Sequence, residues 1–292
     1  MSAAVPLEGR GAEGERDLAD TRLSMRLYEE YKNFFARAER ERRWNPFDDI
    51  PWEKIRKDVP EDLALCAETF CAVEMYLPDY VSEGLAVVRP YMGQLWFQAN
   101  WGYEESKHAL SLTEFLIRSG ARTEEQMVDL QHRLWVGKKW TPLFRTGRQM
   151  TIYGAIQEQA TFVFYCRQRE RAKALGHETL RVIYDYIARD EIAHTHFYEG
   201  VIRVLLEEDR EGTLRDFALV SRDFKMPAFD LVPDYEQRVL VMRDLANMDR
   251  DVFLQKVYFP VLKRVGVSRA EIVAAMRKAR QAESNGGSAP TT

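Results

Sequence analysis

No stretch of the chain is apolar for long enough to cross a bilayer as a helix, and the N-terminus has no hydrophobic leader core; both absences predict a cytoplasmic protein away from membranes. Cysteine is scarce. Cys66, Cys71 and Cys166 are odd in number and lack CxxC spacing, which argues against a disulfide framework or a zinc knuckle and fits a reducing compartment. Positive charge is not in excess either: 42 Lys and Arg stand against 46 Asp and Glu, so no general attraction for nucleic acid is expected.

What the chain has instead is two Glu-x-x-His units, Glu105/His108 and Glu191/His194, 86 residues apart. A lone glutamate on a separate helical segment precedes each, Glu74 by 31 positions and Glu158 by 33, so one helical hairpin recurs. Residues at i and i+3 share a helix face about 5–6 Å apart at Cβ, which lets a carboxylate and an imidazole reach the same metal pair. A single such unit is common on solvated helices. Two in register, each with its upstream glutamate, follow the ligand order of a four-helix di-iron carboxylate site. Four carboxylates and two imidazoles suit iron or manganese, whereas structural zinc favours thiolates.

Periodicity predicts an all-α fold, a ferritin-like four-helix bundle with additional flanking helices, in one domain spanning 21–282 between disordered tails at 1–20 and 283–292. A helix over 25–43 ends before Trp44-Asn45-Pro46. A second, from 60 to beyond 88, sets Glu74 in a stripe with Ala67, Phe70, Cys71, Leu77 and Val81, and Pro78 should bend it or force a local rearrangement. Glu68 lies on another face and reads as a surface acid. Ligand helices follow at 91–119, 149–175 and 177–207, with a linking helix at 124–140. His132, His177 and His196 fall outside the ligand faces and read as surface or structural residues.

Four ionised carboxylates in a dry core would repel one another, so they hold protons or surround cations. Glu104 and Asp190 precede ligand glutamates and are placed to hydrogen-bond the ligand histidines, Asp190 more convincingly than Glu104.

The chain resembles the soluble acyl-acyl-carrier-protein desaturases, through Glu74 with Leu77-Pro78 and Tyr80, Glu104-Glu105-x-x-His108, Gln157-Glu158-x-Ala160-Thr161-Phe162 and Asp190-Glu191-x-x-His194. Trp44-x-Pro46 and Met226-Pro227-Ala228 extend the resemblance over roughly 25 to 265. It implies two iron ions per subunit, held by Glu74, Glu105, His108, Glu158, Glu191 and His194, with Glu105 and Glu191 bridging and Thr161 beside the oxygen site. Trp44 and Asp190 would carry electrons toward His108. The reaction implied is O2-dependent insertion of a double bond into an acyl chain tethered to an acyl carrier protein, in primary lipid or specialised biosynthesis. Ferredoxin would supply the electrons and the enzyme would be a homodimer.

An acidic carrier requires a positive docking surface, for which the basic run Arg37, Arg40, Arg42 and Arg43 is the candidate; the longer C-terminal segment of the plant enzymes, which holds part of theirs, has no counterpart after Gln281. The same ligands also suit a di-iron oxygenase, a hydroxylase or N-oxygenase, on a carrier-bound substrate. A non-enzymatic iron-binding protein is the third reading.

Overall fold

Local chemistry sets where the helices start and stop. The computed structural model describes residues 21–226, 231–238, 240 and 250–286. The predicted tail at 1–20 and the Pro227-Ala228 part of the expected turn lie outside the described residues, as do 287–292. Helix α1 covers Thr21–Glu41, α2 Glu61–Glu74, α3 Leu77–Val88, α4 Met92–Ser119, α5 Glu124–Val136, α6 Gly147–Ala174, α7 Glu178–Glu208 and α8 Arg210–Asp223. Then come α9 (Arg250–Phe253), a π-helical stretch Leu254–Tyr258, α10 (Phe259–Arg264) and α11 (Arg269–Gly286). Among the described residues there is no strand.

Gly120 takes up the left-handed conformation, φ 77°, that closes α4. Thr123 opens α5 with a capping box shared with Gln126, and the Thr146 hydroxyl accepts the Gln149 N–H to open α6. Helix α11 runs to Gly286, four residues into the span expected to be a tail.

The helix expected from 60 to beyond 88 is two helices. Pro78 has no N–H to offer the Glu74 carbonyl, so α2 ends at Glu74 and α3 restarts with Pro78 in its first turn. The predicted stripe is thereby divided. Ala67, Phe70 and Cys71 join one core cluster with Leu112, Tyr165 and Tyr184, while Leu77 and Val81 pack against another containing Leu27, Phe97 and Phe197.

Four helices surround the centre: α2, α4, α6 and α7. Helices α6 and α7 pack along each other, α1 lies across α4 and α7, and α8 covers α6 and α7. The approach of α1 to α4 is close because position 93 has no side chain. A Cβ at Gly93 would sit 2.3 Å from the Leu27 carbonyl oxygen, which is backbone and cannot rotate away. We expect Gly93→Ala to push α1 off α4 and destabilise the chain by about 1–3 kcal/mol in denaturant titration, the usual cost of overpacking. Unchanged stability would show that the two helices are not held at this distance.

Candidate metal centre

Glu74 comes from the last turn of α2, Glu105 and His108 from α4, Glu158 from α6, and Glu191 and His194 from α7. All six are buried, the histidines completely. Their ligand atoms form two groups, Glu74/Glu105/His108/Glu191 and Glu105/Glu158/Glu191/His194, with the atoms of each group within 4.8 Å of one another. Each group can hold one ion. Glu105 and Glu191 belong to both, which is the arrangement of carboxylates that bridge two metals.

Orphaned atoms test whether the residues fit a metal pair. Glu105 Oε1, Glu158 Oε2, His108 Nδ1 and His194 Nδ1 are buried and face only one another, each imidazole Nδ1 lying 3.0 Å from a Glu105 oxygen, an arrangement that is costly unless protons or cations lie between them. The opposite ring nitrogens are already engaged. His194 Nε2 lies 2.8 Å from Glu104 Oε2, and His108 Nε2 lies 3.4 Å from Asp190 Oδ2. An Nε2–H donated to each acid leaves the Nδ1 lone pair facing the centre, the tautomer a metal ligand requires. The residues therefore fit a di-metal group.

Glu104 makes the shorter of these two bonds, against the expectation that favoured Asp190. The acids cross over between the halves: Glu104 of α4 serves His194 of α7, and Asp190 of α7 serves His108 of α4. Arg42 joins them. Its guanidinium donates to both Glu104 oxygens, at 3.0 and 2.9 Å, and to Asp190 Oδ1, while Arg43 also donates to Glu104. Arg42 and Arg43 were expected to face a partner; instead they turn inward, because two buried acids outcompete water for their guanidinium groups. Of the four expected docking cations, only Arg37 and Arg40 are exposed.

Glu68 also departs from expectation. It is buried and held between Arg122 and Arg238, so it is a structural ion-paired acid.

Trp44 donates its indole N–H to Asp190 Oδ2 at 2.8 Å and stacks on Tyr186 with ring centroids 4.9 Å apart. Trp44, Asp190 and His108 thus form a continuous contact chain into the centre. The Thr161 hydroxyl lies 2.8 Å from Glu191 Oε2 and 2.9 Å from the Glu158 carbonyl. One hydroxyl proton cannot serve both acceptors, so Thr161 donates to the carbonyl when a protonated Glu191 donates to it. Two further contacts were missed from sequence: Tyr165 donates to Glu74 Oε1 at 2.7 Å and Trp101 donates to Glu158 Oε1 at 3.1 Å. Helical spacing held the signal, since Trp101 stands one turn before Glu105 and Tyr165 two turns after Glu158.

Electrostatics match the crowding. Burial, with Glu105 alongside, pushes the Glu74 carboxyl up to about 8, and burial with Glu105 and Glu158 nearby pushes Glu191 up as well. Burial opposes an imidazolium at His108, yet the Glu105 charge and the Asp190 hydrogen bond raise it to about 10. Burial likewise opposes ionisation of Glu104, but His194 and Arg42 hold its pKa below the ordinary value.

Without metal, protons do the balancing. At about pH 7, Glu74 and His108 carry protons that incoming cations must displace, so Fe2+ uptake should release protons and its apparent affinity should rise with pH. Calorimetry in buffers of different ionisation enthalpy reads this directly. Heats that do not depend on the buffer would contradict the protonated cluster.

The fatty acid desaturase family model matches residues 39–275. A chloroplastic stearoyl-[acyl-carrier-protein] 9-desaturase of Oryza sativa subsp. indica is 26% identical over 226 residues, covering 74% of this chain and 56% of that protein. The Ricinus communis enzyme of the same description is 28% identical over 211 residues, covering 64% and 53%. The chain thus spans about half the length of the curated relatives it matches. Among solved structures, DesA2 of Mycobacterium tuberculosis H37Rv, classed with the acyl-ACP desaturases, aligns with TM-score 0.61 at 18% identity, covering 84% of this chain and 99% of that one. An R2-like ligand-binding oxidase variant with a Mn/Fe cofactor aligns with TM-score 0.53 at 19% identity, covering 90% and 100%. These structural likenesses establish the ferritin-like fold. The family match runs through all four helices of the centre and includes all six clustered side chains, and this chain therefore belongs to the fatty acid desaturase family.

Proposed function

We propose that the chain is an O2-dependent di-iron desaturase that introduces a double bond into an acyl chain carried on an acyl carrier protein, with electrons from a ferredoxin. The observation that carries this reading is a cavity of about 320 Å³ lined by Val88 and Trp140 as well as by Glu74, Glu105, Glu158 and Glu191. Its wall is largely aromatic and aliphatic, including Phe70, Phe97, Phe164 and Tyr198. Such a slot accepts methylene groups by burial, at roughly 0.8 kcal/mol each, and brings them to the carboxylates of the centre. An iron-storage protein has no use for an apolar chamber lined in part by its metal ligands. The acyl and carrier parts of the reading also draw on the matched relatives, which are named for stearoyl-[acyl-carrier-protein].

Glu74, Glu105, His108, Glu158, Glu191 and His194 would hold two iron ions, with Glu105 and Glu191 shared between them. When bound, the iron pair would activate O2 and remove two hydrogens from adjacent carbons, two electrons coming from the substrate and two from the ferredoxin. The chain's own groups prepare that step. The cavity excludes water and sets which carbons face the centre. Thr161 holds a proton between Glu191 and the Glu158 carbonyl, and Trp44, Asp190 and His108 offer a contact path for electrons. Dimerisation belongs to the same reading, and Met92, Trp96, Ala99, Tyr103, Ser106 and Leu110 give it a surface, an exposed stripe of α4 at alternating four- and three-residue spacing.

One observation favours a second reading. The Tyr80 hydroxyl lines the cavity, is buried and has no hydrogen-bond partner, which suits a substrate bearing a polar group. An oxygenase, either hydroxylase or N-oxygenase, working on a carrier-bound substrate would use that contact.

Aerobic turnover with ferredoxin, its reductase and acyl carrier proteins of different acyl chains, read by product mass, separates the two. Loss of two hydrogens is expected; gain of an oxygen atom would replace desaturation with oxygenation. Glu105→Ala and Glu191→Ala each remove a shared ligand, so both variants should lose bound iron together with turnover. Full iron content in both would overturn the ligand assignment.

A further inference from the structure

Two buried glutamines interrupt the apolar wall of the cavity. Helix α4 presents Gln94, Gln98, Trp101 and Glu105 to the chamber at alternating four- and three-residue spacing. With a rise of about 1.5 Å per residue, Gln98 stands roughly 10 Å and Gln94 roughly 16 Å along the helix from the shared ligand Glu105. Thr151 of α6 faces Gln94 from across the chamber and is buried as well. Room for the Gln98 amide comes from Gly84 on α3, where a Cβ would lie 2.7 Å from Gln98 Nε2 and 2.8 Å from its Cδ.

The neighbouring groups fix which way each amide turns. The Thr151 hydroxyl donates its one proton to the Gly147 carbonyl at 2.7 Å, so it can only accept from Gln94, whose Nε2 lies 2.5 Å away. Gln98 Nε2 donates to the Tyr80 carbonyl at 3.4 Å, again an acceptor that demands the N–H side of the amide. Both glutamine Oε1 atoms are thereby left without a donor among the described residues. Tyr80 adds the opposite need on the same wall, a buried hydroxyl with no acceptor. Unpaired acceptors and donors beside a dry slot penalise a ligand that cannot pair them. Charge narrows the choice further. Among the described residues no Lys or Arg lines the chamber, and its acids are the four glutamates of the centre, so neither an anionic nor a cationic substituent finds a counter-charge at the glutamines.

We propose that the substrate is an acyl thioester whose carbon chain bears a neutral hydrogen-bonding substituent, a hydroxyl or a carboxamide, seated at Gln98 and Gln94 while the carbons to be oxidised lie against the centre. The inference rests on the desaturase reading above and names its substrate class. A hydroxyl or carboxamide donates to a glutamine Oε1 and accepts from Tyr80, which a plain alkyl chain cannot do. A substituent already present on the saturated chain also gives Tyr80 its acceptor without any oxygen being inserted. The amides of a pantetheine arm share this chemistry, but the position favours the chain. Gln94, Thr151 and Val88 are 4%, 1% and 7% exposed, so the glutamines sit shut off from solvent, whereas an arm joined to a carrier must lead out to it.

The test measures, by calorimetry, binding of paired pantetheine thioesters to the iron-loaded protein: saturated acyl chains of graded length, each with and without a hydroxyl on the terminal carbon. At the lengths that bring the hydroxyl to the glutamines, the unmodified chain should bind the hydroxylated member about tenfold more tightly than its plain partner. Gln94→Leu/Gln98→Leu keeps the bulk and removes both acceptors, so it should abolish or reverse that preference. Gly84→Ala crowds the Gln98 amide from its place and should reduce it, with the plain chain still bound as a sign that the variant is folded. Preference for the plain chain at every length, or a preference that survives in both variants, would overturn the proposal. So would an iron-replete glutamine variant that loses both members of each pair equally, the outcome if the amides hold the thioester arm. Product mass after turnover with ferredoxin and O2 is the second readout. Tight binding of the hydroxylated thioester without loss of two hydrogens would keep the substrate class and remove the desaturase reading instead.

Discussion

Charge compensation inside a dry core is the constraint on which the rest depends. Glu74, Glu105, Glu158 and Glu191 are buried together with two imidazoles, and the same low-dielectric surroundings that strengthen a bound cation make an uncompensated carboxylate untenable. Protons answer the problem in the metal-free chain, which is why Glu74 and Glu191 rise while His108 and His194 are held as cations. A metal pair answers it better. It would also take the inward-facing lone pairs of Glu105, Glu158, His108 and His194 once those protons leave.

Around that cluster the chain builds a supporting layer that joins ligand helices α4 and α7 to a segment that contributes no ligand. Arg42, just beyond α1, ties Glu104 to Asp190, and these acids set the orientation of one histidine each. Removing one member of such a buried network leaves its partners charged and unpaired, a loss typically of about 3–5 kcal/mol. The close fit of α1 on α4 at Gly93 therefore belongs to the centre as much as to the core, since it delivers Arg42 and Trp44 to Asp190. At the opposite side, Pro78 ends α2 at Glu74, and the redirected α3 contributes Tyr80, Gly84 and Val88 to the cavity wall. Ligand geometry and substrate chamber thus share one backbone break.

Most of the bundle and the whole cluster were legible in the sequence because both are periodic. The repeated Glu-x-x-His units, each with its upstream glutamate, place six side chains on helix faces without reference to anything distant. What escaped notice depended on contacts between segments far apart in the chain. The basic run at 37–43 reads as a solvated helix end until α4 and α7 bring Glu104 and Asp190 against Arg42. Glu68 reads as a surface acid until Arg122 and Arg238 close over it. Pro78 signals a bend or a local rearrangement, and the structure takes the second course and divides the helix, a choice set by how the two halves find separate core clusters.

The central claim is that six side chains from four helices hold two metal ions, and X-ray absorption on the iron-loaded protein tests it most directly. The arrangement predicts two irons per chain, a first shell of oxygen and nitrogen without sulfur, and an iron–iron vector of about 3.5–4 Å. One iron per chain with no metal–metal scattering, or a sulfur shell drawn from Cys71 or its neighbours, would contradict it.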